Sequence, residues 1–140
     1  PIEDAETRTK MMQKRLRKLV SLKQEMSPPQ LYGAEKAETT LLGWGSTYGA
    51  LREAVDLLRR EDVSVNLLHL NELWPFPVEA VSSVLDQARQ SYVIENNATG
   101  QLSHLIQSET GRKMSGKILK YDGRPFTPAY IVRELKKAGV

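Results

Sequence analysis

Thr40-Leu41-Leu42-Gly43-Trp44-Gly45-Ser46-Thr47-Tyr48-Gly49-Ala50 decides the fold. A short apolar run ends in small residues and a helical pattern follows at once, the opening of a strand–turn–helix unit. Gly43 and Gly45 let the backbone turn sharply and let a neighbouring group come close. Ser46 or Thr47 is placed to cap the helix by accepting from its first free amides. The same helix start carries partial positive charge and is able to receive an anion. The string lacks the third glycine of a dinucleotide fingerprint and the lysine of a phosphate loop, so on spacing alone it is a plain strand-to-helix turn.

Working outward, the alternation repeats. Leu51, Ala54, Val55 and Leu58 give a helix over 47–60 one buried face, and a strand follows over 63–70. After Trp74-Pro75-Phe76-Pro77, Pro77 suits the first position of a helix whose core face is Val78, Val81, Leu85 and Ala88. Residues 91–95 read as a third strand, with Thr99 as cap for a helix carrying Leu102, Leu105 and Ile106 and closing at Gly111. Residues 118–121 form a fourth strand before the Asp122-Gly123 turn. Thr127-Pro128 then opens a last helix with Ile131, Val132 and Leu135 inward. Four alternations predict a parallel sheet covered by helices on both faces. In such sheets ligands and partners meet the carboxyl ends of the strands, here residues 43–47, 69–77, 95–101 and 121–126.

Upstream, residues 4–26 read as a helix capped by Asp4. Met12, Leu16, Leu19 and Met26 make a narrow apolar stripe, thickened by Val20 and Leu22, with Lys14, Arg15, Arg17 and Lys18 mostly outside it. Such a helix is marginal without something to pack on, so the chain reads as a piece of something larger. Ser27-Pro28-Pro29 stops it. The expected organisation is therefore a basic amphipathic helix and linker over 1–30 and an α/β domain over 31–140.

Composition bounds the function. The 140 residues give room for one domain with one core, and 26% charged against 40% apolar residues place it among ordinary soluble domains, with no membrane-spanning run. There is no cysteine, which removes disulfides, thiolate chemistry and cysteine-ligated zinc or iron–sulfur clusters from this chain. A cytoplasmic location is expected. The net charge of +3 is uneven: residues 1–26 hold seven Lys/Arg against four acids, and the remainder holds thirteen of each sign. A basic arm can bind nucleic acid or an acidic partner, but no aromatics interleave for base stacking, so no nucleic-acid partner and no membrane partner are expected.

Four strings carry a family likeness in order: Leu42-Gly43-Trp44-Gly45-Ser46-Thr47-Tyr48-Gly49, Leu73-Trp74-Pro75-Phe76-Pro77, Glu95-Asn96-Asn97-Ala98-Thr99-Gly100-Gln101-Leu102, and Lys120-Tyr121-Asp122-Gly123-Arg124-Pro125-Phe126-Thr127-Pro128. Spaced by whole strand–helix units over roughly residues 40–128, they resemble the C-terminal part of the alpha subunit of 2-oxoacid:ferredoxin oxidoreductases, most like the 2-oxoglutarate type. The resemblance implies a transketolase C-terminal-like fold: a three-layer α/β/α sandwich, mostly parallel, with one extra antiparallel edge strand. Leu31-Tyr32 is the candidate for that strand.

The family's reaction, as the resemblance implies it, is oxidative decarboxylation of a 2-oxoacid to an acyl-coenzyme A, with electrons passed to ferredoxin. Thiamine diphosphate, magnesium and iron–sulfur clusters serve the whole complex. This chain has neither the Gly-Asp-Gly pattern of the thiamine diphosphate–magnesium site nor a cysteine, so no cofactor is expected on it and no turnover by it alone. The implied partners are the N-terminal domain of the same subunit, the beta subunit, and ferredoxin with the whole complex.

Three readings of the rim remain open. In the first, the strand-end loops assemble subunits and shape the active-site surroundings, with Trp74, Phe76, Asn96 and Asn97 as interface residues. In the second, Thr47, Thr99, Gln101 and Arg124 converge on the phosphate of coenzyme A or the carboxylate of the 2-oxoacid. In the third, the chain is a free-standing anion- or nucleotide-binding module with a basic docking helix. Each residue has a plainer alternative. Asn96 and Asn97 also suit satisfying loop backbone groups, Glu95 an ion pair with a neighbouring Lys or Arg, His69 a satisfied sheet position, and Arg124 a tie to Glu95 or Asp122.

Overall fold

The computed structural model describes residues 4–140. Thr39–Trp44 forms the central strand, β2, and its alternation explains the layers: Leu41 and Leu42 point to opposite faces and both are fully buried. The elements run α1 (Ala5–Glu25), β1 (Gln30–Tyr32), β2, a 3-10 turn (Gly45–Thr47), α2 (Tyr48–Arg59), β3 (Val65–Leu70), α3 (Val78–Leu85), β4 (Gln90–Glu95), α4 (Gln101–Thr110), β5 (Gly116–Leu119) and α5 (Pro128–Lys137). The sheet order is β1-β3-β2-β4-β5. β2 pairs in parallel with β3 and β4, and β4 with β5. β1 alone is antiparallel, setting Leu31 opposite Leu68 and Tyr32 opposite Leu67. The three-layer sandwich with its antiparallel edge strand is therefore present.

Each face buries its own cluster. On one, Leu41 and Leu67 meet Leu51, Ala54, Val55 and Leu58 of α2 and Ile131 and Leu135 of α5. On the other, Leu42, Leu68 and Val93 meet Val81 and Leu85 of α3 and Leu102 and Ile106 of α4. Each such fully buried leucine or isoleucine is worth about 1.5–3 kcal/mol relative to exposure. One polar pair is threaded through the sheet: Thr40 Oγ1 donates to Asn66 Oδ1 at 2.7 Å, and Asn66 Nδ2 donates to the Ala34 carbonyl at 2.9 Å. That pair fixes the β2–β3 register and tethers the connector to it.

Several local expectations are corrected. Phe76 is not an interface residue; it is 3% exposed and packs in the α3–α4 cluster. Pro77 sits at the N-cap of α3 rather than at its first helical position. Asp4 does cap α1, accepting from the Thr7 amide at 2.7 Å, and Thr127 caps α5 by accepting from the Tyr130 amide at 3.3 Å. No residue of α1 is buried, and among the described residues no helix is long and apolar enough to cross a membrane.

Candidate functional site

The chain leaves β2 to form β3 on one side and then crosses back to form β4 on the other. The strand order reverses between β2 and β4, where a parallel sheet opens a crevice at its carboxyl edge. Two adjoining clefts occupy that edge. The first, about 260 Å³, is lined by Trp44, Gly45, Ser46, Thr47, Asn96, Asn97 and Gln101. The second, about 420 Å³, is lined by Ser46, Asn96, Lys120, Tyr121, Gly123, Arg124 and Pro125. Ser46 and Asn96 belong to both, so the loops after β2, β4 and β5 form one continuous rim. The structure thus brings Thr47, Asn96, Asn97, Gln101 and Arg124 to one edge. Trp74 follows β3 and is 56% exposed, but neither it nor Thr99 lines the crevice.

The two glycines of the first turn act differently. Gly45 has φ +58, the left-handed conformation that lets β2 break into the 3-10 turn. Gly43 is a close-approach position: a Cβ there would lie 2.2 Å from Leu51 Cδ1 and 2.8 Å from Thr47 Oγ1. Neither Ser46 nor Thr47 caps α2. The buried Thr47 hydroxyl instead donates back to the Trp44 carbonyl at 2.9 Å and locks the turn.

The start of α4 is organised by residues that cap-spacing rules do not reach. Glu95, at the end of β4, is fully buried. Its Oε2 accepts from the Leu102 amide at 2.8 Å and from Asn97 Nδ2 at 2.7 Å, and its Oε1 accepts from the Ser103 amide at 3.2 Å. Asn97 Oδ1 in turn accepts from the Thr99, Gly100 and Gln101 amides at 3.1, 2.6 and 3.4 Å. Thr99 is not the cap, and the N-cap position is Gly100 at φ +73. Among the described residues Glu95 makes no ion pair with a Lys or Arg. The negative charge that suits a helix N-terminus is already supplied by the chain's own carboxylate. The amides of Thr99, Gly100 and Gln101 are consumed within the loop, which leaves the Gln101 side chain to face the crevice.

The loop after β5 is held by a residue the sequence reading passed over. Lys120 Nζ donates to Asp122 and, at 3.0 Å, to the Arg124 carbonyl, while Asp122 Oδ1 accepts from the Arg124 amide at 3.0 Å. The hydrogen bond from Lys120 holds the Asp122 carboxyl below its ordinary range. Lys120 also lies 5.8 Å from the Tyr130 ring centroid. The backbone of Arg124 is thereby fixed, but its guanidinium has no ion-pair partner among the described residues and stands exposed at the crevice. The signal was available as a lysine two residues before the turn aspartate.

His69 lies under the first turn, 2% exposed, with its ring edge-to-face with Tyr48 at 5.0 Å. Its Nδ1 is 3.1 Å from Asn71 Oδ1, and Nε2 has no hydrogen-bond partner. Burial pushes its pKa down, so the folded protein favours the neutral ring. The sign follows: the unfolded chain binds the proton more readily, so stability is complete above the ordinary value near 6.5 and falls as pH drops below it. Urea unfolding followed from about pH 8 to about pH 5 is expected to show this acid loss, and His69→Leu is expected to flatten it. An unchanged pH profile in that variant would assign the loss to other groups.

The described residues include no cluster of three or more His, Asp or Glu able to hold a metal, and the sequence has no cysteine to hold an iron–sulfur cluster.

Comparison with known proteins agrees with the fold. Residues 37–131 match the family described as pyruvate:ferredoxin oxidoreductase core domain II. The chain is similar to 2-oxoacid:ferredoxin oxidoreductase 1, subunit alpha, of Sulfurisphaera tokodaii, at 33% identity over 127 residues, 89% of this chain and 20% of the relative. Among solved structures it is similar to 2-oxoglutarate:ferredoxin oxidoreductase from Magnetococcus marinus with 2-oxoglutarate, coenzyme A and succinyl-CoA bound. That match has TM-score 0.89 and 32% identity, over 99% of this chain and 24% of that one. A split-gene transketolase, at 13% identity and TM-score 0.62 over 81% of this chain and 42% of that one, shares the fold alone. The chain spans about a fifth of the length of the curated relative. With the sheet order, the antiparallel edge strand and the match over 37–131 in place, the chain belongs to the core domain II family of pyruvate:ferredoxin oxidoreductases, the family of the 2-oxoacid:ferredoxin oxidoreductase alpha subunits.

Proposed function

We propose that this chain serves as an assembly domain of a cytoplasmic 2-oxoacid:ferredoxin oxidoreductase, with 2-oxoglutarate as the substrate. In that enzyme a 2-oxoacid is oxidatively decarboxylated to its acyl-coenzyme A and electrons leave to ferredoxin. The division into an arm over 1–30 and an α/β unit over 31–140 is part of the proposal. The observation that carries it is the rim: a continuous, open crevice at the strand-order reversal, lined by the loops after β2, β4 and β5. Such an edge is suited to completing a surface that belongs to another domain or to the beta subunit, and Trp74 adds an exposed aromatic anchor after β3. Thiamine diphosphate, magnesium and clusters would be held elsewhere in the enzyme.

The test is steric. Ser46 and Asn96 are exposed and shared by both clefts. Ser46→Arg with Asn96→Arg in the full complex is expected to reduce recovery of the second subunit on co-purification by about tenfold or more, as a blocked interface core does. Undiminished recovery would sink the assembly reading.

One observation favours a second role at the same edge: the Arg124 guanidinium has no ion-pair partner among the described residues while its backbone is pinned. A planar fork held in this way suits a carboxylate or phosphate. Arg124→Ala is then expected to raise half-saturation by the 2-oxoacid or coenzyme A by roughly tenfold, the loss of one charge-assisted pair, with subunit recovery unchanged. If neither saturation moves, Arg124 is not an anion contact.

A further inference from the structure

Helix α1 has a seam that the domain uses for only part of its length. Thr9, Met12, Leu16, Leu19, Lys23 and Met26 follow one another at alternating steps of three and four, the seven-residue repeat of a coiled-coil seam. That is the repeat by which one helix lies along another, narrower than the face a helix turns towards a sheet. The C-terminal end of the seam is seated. Lys23 Nζ is 3.3 Å from the Glu79 carboxylate on α3, Leu19 and Met26 are half-buried, and Met26 borders a groove with Pro28, Pro29, Pro75 and Pro77. Further towards the N-terminus the same face runs clear of the domain, with Met12 43% and Leu16 57% exposed. Arg8 and Arg15 flank it in the positions that face a partner helix, and neither has an ion-pair partner among the described residues.

We propose that the free length of α1 packs lengthwise against another α-helix that carries an apolar seam flanked by Asp or Glu. The spacing specifies a helix, and the charge specifies its flanks. Among the described residues α1 and its caps carry seven Lys/Arg against Asp4, Glu6 and Glu25. A second copy of this chain does not meet the requirement. In a parallel pair Arg8 and Arg15 meet Gln13 and Val20 of the second copy, and in an antiparallel pair they meet each other. The partner is therefore placed in the rest of the enzyme, and only that address rests on the reading given under Proposed function. The pose of α1 is compatible with it, because the Magnetococcus marinus structure matches 99% of this chain, α1 included, within a polypeptide about four times as long.

The test uses the 140-residue chain and two labelled helical peptides of about four heptads. Both have leucine and isoleucine along the seam; one has Glu on both flanks and the other Lys. Fluorescence anisotropy is expected to show the Glu-flanked peptide binding at least about tenfold tighter than the Lys-flanked one, with the advantage shrinking as salt rises. Leu16→Lys is expected to abolish the binding. Arg8→Glu with Arg15→Glu is expected to reverse the preference, and circular dichroism is expected to show both variants folded, since these side chains touch no core. Equal binding of the two peptides, binding of neither, a dimer of the chain that Leu16→Lys dissolves, or uptake by phosphatidylserine vesicles in place of the peptide would each overturn the proposal. None of these readouts depends on oxidoreductase activity or on the rim, so failure here leaves the assembly reading standing and the reverse.

Discussion

Replacing Glu95 by glutamine is expected to lower the unfolding free energy by about 2–4 kcal/mol, although the change removes no atom from the core. Three donors converge on this buried carboxylate: the Leu102 and Ser103 amides and Asn97 Nδ2. Glutamine keeps one oxygen and turns an amino group towards donors, so at least one buried N–H loses its acceptor while the helix start loses its compensating charge. Urea unfolding at neutral pH measures the loss, and a difference below about 0.5 kcal/mol would contradict the account. Asn97→Ala is expected to cost about 1 kcal/mol, as a lost cap does, and less in the Glu95→Gln background, because the two side chains hold one loop. The consequence reaches the crevice through Asn96 and Gln101, which that loop delivers to it.

The second large effect is expected at Gly43. Gly43→Ala places a methyl group 2.2 Å from Leu51 Cδ1, inside a fully buried helix–sheet contact, and is expected to destabilise by about 1–3 kcal/mol. Gly45→Ala meets nothing within 4 Å but forces an alanine to φ +58, with an expected cost of about 1–2 kcal/mol. The two mechanisms separate in one experiment. In a Leu51→Ala background the penalty of Gly43→Ala is expected to shrink, since the obstructing atom is gone, while that of Gly45→Ala is expected to stay. Equal penalties for Gly43→Ala in both backgrounds would assign its role to the backbone.

These two sites show which parts of the molecule the sequence makes legible. β2, β3 and β4 and the inward faces of α2, α4 and α5 declare themselves through burial periodicity, because each must hide a continuous apolar row. Family likeness rather than pattern pointed to β1, since three residues at an edge bury too little to leave a period. The α4 start was misread for a related reason. Cap rules look one turn back and find Thr99, whereas the acceptors come from Glu95, seven and eight residues before the amides it satisfies. Phe76 looked like an anchor because aromatics serve well at interfaces, yet the chain folds back and buries it. The crevice was legible as a set of strand ends, but its internal wiring, with Lys120 and Asn97 spent on their own loops and Arg124 exposed at the rim, depends on side-chain directions that spacing does not encode.

The two margins of the sheet have a bearing on how the protein behaves at high concentration. A naked strand invites other molecules to extend it, rung by rung, into insoluble fibres. On the β3 side the margin is β1 itself, only three residues long and entered through a pair of prolines, Pro28 and Pro29, which have no amide proton to offer. On the far side β5 is only four residues long and carries Lys117, exposed, in its second place. A preparation of this chain is guarded against fibre growth at both margins.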